Sequence, residues 1–146
     1  MAKREIKTDL WVYDLLKEAE LDLCPQGSDI AELDKALKTA SKAQTGKAGY
    51  PEYCGVVKDF VIVVEDKADT ADHIKRDDND LICQTTNSVK DFAVNGALHY
   101  GIHLAKNTGY LKNKKQPALQ STKCRLLLIA PTTSHPYFHA AFNQQK

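Results

Sequence analysis

The chain has 146 residues, 42% of them hydrophobic and 27% charged, which fits one globular domain with its own core and excludes a disordered or collagen-like chain. Its 20 basic and 19 acidic residues nearly cancel, so any binding to nucleic acid has to come from local patches rather than a global basic field. No apolar run approaches a membrane span, and the start MAKREIKTDLW has no apolar signal core, so the expectation is a cytoplasmic protein with no membrane partner.

In chain order, residues 8–20 predict a first helix, with Trp11, Leu15 and Ala19 recurring every four residues beside Val12 and Leu16. A second helix is expected from Asp29, with Asp29 as cap and Glu32 three residues on as a capping box. Ile30, Leu33, Leu37 and Ala40 make its apolar stripe, and Lys35, Lys38 and Lys42 a basic stripe on another face. The stretch 41–49, rich in Gly, Lys, Thr and Ser, reads as a loop. Two strands follow, 53–57 and 60–67, joined by a tight Lys58-Asp59 turn. The second is β-branched and apolar on both faces until its end, as suits a doubly covered central strand.

Residues 66–80 (DKADTADHIKRDDND) predict an exposed, mobile excursion. A third helix is expected over 88–108, capped by Ser88 and ended by Asn107 to Gly109. Phe92, Gly96, Tyr100 and His103 would share a face, with Gly96 allowing close approach to the sheet. Residues 112–115 form a basic loop, and 125–130 (RLLLIA) a last buried strand stopped by Pro131. The fold class is therefore α/β, an α+β sandwich in which helices flank a small mixed central sheet, as a single domain over residues 1–146.

Cys24, Cys54, Cys83 and Cys124 form no CxxC and read as reduced thiols. His99 and His103 stand four apart on the third helix, a spacing that could share a metal. Without an HExxH glutamate or a nearby third ligand, they read as partly buried helix histidines.

The end of the second strand carries the chemistry. Alternation puts Glu65 and Lys67 on one face and Asp66 on the other. A hairpin turning at Lys58-Asp59 places Glu52, in Pro51-Glu52, opposite Glu65. Two converging carboxylates repel unless a divalent cation lies between them, and Mg²⁺ needs only one or two carboxylates plus waters. A water acidified by the metal and oriented by a lysine supplies what attack on a phosphodiester requires. The blander alternative is a Glu65–Lys67 salt bridge beside a solvated Glu52.

The spacing PE-x12-EDK resembles the PD-(D/E)xK nuclease motif, with Glu in place of its first Asp. IAELDKALKTASKAQTGKAGYPEY, FVIVVEDKADTADH and DFAVNGALHYGIHLAK extend the likeness. Together they resemble the N-terminal nuclease module of restriction–modification enzymes, where it precedes an adenine-N6 DNA methyltransferase, and related type I restriction subunits.

That resemblance implies a restriction-endonuclease-like fold and a Mg²⁺-dependent DNA endonuclease, with Mn²⁺ able to substitute. Glu52, Glu65 and the backbone carbonyl of Asp66 would hold the metal, and Lys67 would position the attacking water. It also implies a first-helix carboxylate near the metal: Glu5, in Glu5-x-x-Thr8, fits, with Glu18 and Glu20 as competitors. Relatives carry Gln-x-x-x-Tyr on the following helix; here Tyr100 matches but Gly96 replaces Gln. Lys35, Lys38, Lys42, Lys47, Tyr50 and the 112–115 cluster are then candidate contacts to double-stranded DNA. Implied partners are methyltransferase and specificity domains or subunits, and a second copy for double-strand cleavage. The chain would be the N-terminal part of a longer protein or a standalone relative. The rival reading is a non-catalytic DNA-binding or assembly module that keeps the nuclease fold. An RNA or repair nuclease would share the chemistry and differ in substrate.

Overall fold

Residues 2–58, 60–110 and 125–129 are described by the structure, a computed structural model, with side chains described over 6–58 and 60–110. The first helix, α1 (Ala2–Glu18), begins earlier than its apolar periodicity indicates, since Ala, Lys, Arg and Glu are good helix formers whether or not they face a core. It stops where Glu20 takes a left-handed φ of 56° and the Leu21 amide bonds back to the Leu16 carbonyl. A two-residue strand, β1 (Cys24–Pro25), follows; it is too short to leave a periodic signal.

The second helix, α2 (Ala31–Leu37), lacks the expected capping box. Ile30 is its cap residue and supplies no side-chain bond. The Ser28 hydroxyl instead accepts the Ile30 amide at 3.0 Å. Glu32 is drawn away to accept the Gly109 amide, so a tertiary contact outcompetes the local cap. Because α2 ends at Leu37, Lys42 lies outside the helix, and the basic stripe is broken.

The central hairpin pairs β2 (Tyr53–Val57) with β3 (Phe60–Val64), Val57 facing Phe60 and Tyr53 facing Val64. That register leaves two residues for the turn, and Lys58 takes the positive φ (52°) that two-residue hairpin loops favour. The strand β3 stops at Val64, three residues short of the expected end. The last strand, β4 (Arg125–Ile129), lies parallel to β3, giving a mixed sheet in the order β1-β2-β3-β4. A parallel neighbour requires a crossover, which runs through two helices, α3 (Thr86–Asp91) and α4 (Ala93–Asn107).

The single helix expected over 88–108 is thus broken. Thr85, not Ser88, is the first cap, and its hydroxyl accepts the Ser88 amide. Phe92 is extended, which frees the Val94 amide to bond the His73 carbonyl at 2.9 Å. Ala93 and Val94 then pack with Ile74 and Ile82.

Alternation along β3 divides the core. Ile62 and Val64 pack with Val12, Leu16, Leu23 and Tyr53 on the α1 side. Val61 and Val63 pack with Leu33, Leu37, Cys54, Tyr100 and Leu104 on the α2–α4 side. Both faces of β3 are covered, as its apolar sequence requires.

The excursion after β3 is exposed over 75–81 but tethered rather than loose. Asp69 caps a 3-10 turn at Thr70–Asp72, and Arg76 pairs with Ile82. The fully buried Asn95 accepts the Lys75 amide at 2.9 Å and donates to the Lys75 and Cys83 carbonyls at 2.8 and 2.6 Å. One side chain on α4 therefore anchors the base of the short ladder in which the Asp77 amide bonds the Leu81 carbonyl and the Cys83 amide the Lys75 carbonyl. The helix histidines also serve packing. His99 reaches the Ala40 carbonyl, and His103 the Ala36 carbonyl, each at 3.0 Å. These carbonyls lie in the last turn of α2 and just beyond it, so both histidines tie α4 to that end of α2. The basic loop 112–115 and Pro131 lie outside the described residues, as does Cys124.

Candidate active site

The site lies where the hairpin runs out of ladder. Continuing the register past Tyr53 and Val64 brings Glu52 opposite Glu65. The same continuation between β1 and β2 brings Gln26 beside Glu52. The Gln26 amide donates to the Glu52 carbonyl at 2.7 Å, and its side chain donates to the Glu52 carboxylate. Pro51 is buried, and the buried Tyr100 hydroxyl donates to the Tyr50 carbonyl at 3.0 Å, pinning the chain just before Pro51-Glu52.

Glu65 and Asp66 are only 1% and 7% exposed. Glu65 continues the Val61 and Val63 face toward α4 and accepts the Lys42 ammonium. Asp66 continues the Ile62 and Val64 face and stands near Asp9 of α1, whose charge helps to raise it. Asp9 is held in place as its own carbonyl accepts the Tyr53 hydroxyl at 3.3 Å. Lys67 is half-buried, and its charge reaches both Glu52 and Glu65.

Gly96 makes this arrangement possible. A Cβ there would sit 3.0 Å from the Val89 carbonyl oxygen and 3.1 Å from Glu65 Oε2. The missing side chain is therefore the space in which the Glu65 carboxylate stands. Gly49 plays a like part for the loop carrying Lys42: a Cβ would lie 2.6 Å from the Ala40 carbonyl oxygen, and the Gly49 amide closes onto the Leu37 carbonyl.

The electrostatics follow from crowding. Burial pushes Glu65 up to about 7, against the pull of Lys42 and with a further push from Glu52. Asp66 is raised by burial and then by Asp9, Glu52 and Glu65. Glu52 is raised by burial and by Asp9, opposed by Lys42, Gln26 and Lys67. Tyr100 is driven up by burial and by Glu65 and Glu52, which holds it as the neutral phenol. Clustered carboxylates with raised pKa values in one place point to function more than to stability.

An oxygen-ligated divalent cation fits these residues. Glu65 Oε1 and Asp66 Oδ2 are buried with no hydrogen-bond partner among the described residues. Asp9, Glu52, Glu65 and Asp66 crowd together, and the crowding that raises Glu52, Glu65 and Asp66 is what a bound cation would relieve. Hard oxygen donors suit Mg²⁺. Among the described residues no three His, Cys, Asp or Glu side chains form a ready-made metal cage. An ion there would have one or two carboxylate ligands, with waters completing its shell.

The sequence-predicted residues separate as follows. Glu52, Glu65, Asp66 and Lys67 come together. Lys42 joins them rather than the other two lysines of the expected stripe, and Lys35 and Lys38 are exposed on α2 and at its end. Lys47 and Tyr50 are exposed on the neighbouring loop. Glu5 lies in α1, but its side chain is outside the described residues. Glu18 and Glu20 are exposed at the far end of that helix. Asp9 was missed by sequence reasoning. It stands one turn before Val12 on the buried stripe that runs on to Leu16, and that spacing was the available signal.

No family profile matches the chain, and no solved structure matches it. Among the described residues no helix is long and apolar enough to cross a membrane. Over 114 residues the chain is 32% identical to the type II restriction enzyme and methyltransferase RM.BcgI of Heyndrickxia coagulans. The match takes in 77% of this chain and spans 18% of that protein. The chain is thus related, over most of its length, to one part of a restriction–modification enzyme.

Proposed function

We propose that this chain is a Mg²⁺-dependent DNA endonuclease domain of a restriction–modification system, with a restriction-endonuclease-like fold of the PD-(D/E)xK type. The observation that carries the reading is the convergence of Glu52, Glu65, Asp66 and Lys67 at the end of one hairpin, in a chain related to a restriction–modification enzyme. Its substrate is double-stranded DNA, its working partners are methyltransferase and specificity domains or subunits, and its place is the cytoplasm.

Glu52, Glu65 and the Asp66 carbonyl would hold Mg²⁺, or Mn²⁺ in its place. When bound, the ion supplies Lewis acidity toward a phosphate oxygen and lowers the pKa of water. Lys67 orients the attacking water and offsets the negative charge that develops on the phosphate. Asp9 supports the site from α1 through Asp66, a role for which Glu5 remains a second carboxylate on the same helix. Tyr100 fixes the backbone before Glu52 and stays protonated. Lys35, Lys38, Lys47 and Tyr50 are the surface groups offered to the phosphate backbone.

Plasmid nicking tests this. The purified chain should relax supercoiled DNA with Mg²⁺ or Mn²⁺ and not with EDTA, and Lys67→Ala should lower the rate by about 100-fold or more. The rival, a non-catalytic module with this fold, draws support from the ion pair in which Lys42 already engages Glu65. Absence of nicking together with absence of metal binding would decide for that rival.

A further inference from the structure

We infer that Lys42 is a resident counter-cation of the carboxylate site, which gives up Glu65 to an incoming divalent ion and so sets how tightly the site takes one. The inference rests on the nuclease reading above and names a control within that site.

Glu65 is 1% exposed, and a buried carboxylate without a cation is strongly disfavoured. Lys42 fills that need at Oε2, while Oε1 has no partner among the described residues. Lys42 has a stronger pull on Glu65 than Lys67 does. Yet Lys42 is not locked in. It is 20% exposed, so its stem has a way out to solvent, and its ammonium lies 5.6 Å from the centroid of the Tyr100 ring while it pairs with Glu65.

The backbone beneath it is fixed. The Ser41 amide bonds the Lys47 carbonyl at 2.9 Å, and the Gly49 amide bonds the Leu37 carbonyl at 3.0 Å. Exchange therefore needs only the flexible stem of one lysine, a compact point charge suited to moving between sites. An ammonium and a divalent ion a few ångströms apart on the same carboxylate repel each other. With a divalent ion on Glu65, Lys42 would leave the carboxylate for solvent.

Mn²⁺ titration calorimetry on the metal-free chain at pH 8 tests this, beside thermal unfolding without metal. Lys42→Gln, which keeps a hydrogen-bond donor but no charge, should bind Mn²⁺ about tenfold more tightly as a like charge is removed. Its metal-free form should melt at lower temperature. Lys42→Arg should bind close to wild type, and Glu65→Gln should bind poorly whether or not Lys42 is present.

Unchanged or weakened Mn²⁺ binding by Lys42→Gln, with wild-type binding intact, overturns this inference alone. Wild-type protein that binds no Mn²⁺, or Glu65→Gln that binds as well as wild type, overturns the nuclease reading and this inference with it. A readout free of variants is the ε-carbon NMR resonance of Lys42 during Mg²⁺ addition to wild type. It should move as the ion pair opens, and a resonance that stays in place through saturation contradicts the exchange.

Discussion

Glu65 is the residue on which the site turns, because three environments meet at it: burial, a lysine and a facing glutamate. Its folded pKa is raised, from 4.5 to about 7, so the native state binds a proton that the unfolded chain has already released. Stability from the neutral form is fully present below about 4.5 and is lost as pH rises through about 7. Asp66 is shifted in the same direction. In EDTA, then, the urea midpoint of wild type should fall relative to that of Glu65→Gln across this window. A gap between the two proteins that stays constant with pH would show that Glu65 is not held this way. The position of Glu65 and its neighbour Glu52 was legible from the spacing, because a two-residue turn and strict alternation are local rules. The contact with Lys42 was not: 23 residues separate the pair, and a helical stripe put that lysine on the wrong surface.

The elements around the site act through close approach. Gly96 brings α4 against both the Val89 carbonyl and the Glu65 carboxylate. Gly96→Ala should therefore destabilise the protein by about 1–3 kcal/mol, the usual consequence of overpacking, and should weaken Mn²⁺ binding as Glu65 is displaced. Chemical denaturation and calorimetry on the one variant read both effects; a neutral result on both would mean that the helix shifts freely. The close approach itself was readable, since a glycine on the buried face of a helix suggests it. The break at Phe92 was not, because the competing bond from the Val94 amide to the His73 carbonyl comes from a segment 21 residues earlier. The capping box failed for a related reason. Glu32 has the spacing to cap α2, but the Gly109 amide reaches it first.

At the scale of the whole molecule, the proposed nuclease reading gives one carboxylate site, and one such site would cut one strand. Nicking should therefore be first order in protein, while linearisation of a plasmid should rise more steeply with concentration, as two copies must meet. Linearisation strictly proportional to protein, by a chain that sediments as a monomer, would exclude that pairing. The sequence by itself determined the hairpin, its register and the apolar strand covered on both faces, because each depends on neighbours in the chain. Only the tertiary structure decided that Asp9 of α1 reaches Asp66, that Lys42 enters the carboxylate cluster, and that Asn95 tethers the charged excursion. The reason is physical. Backbone geometry repeats over a few residues and can be read from spacing. The partner of a buried charge is whichever opposite charge or dipole the packed layers bring within a few ångströms, and that distance is set only when the helices close on the sheet.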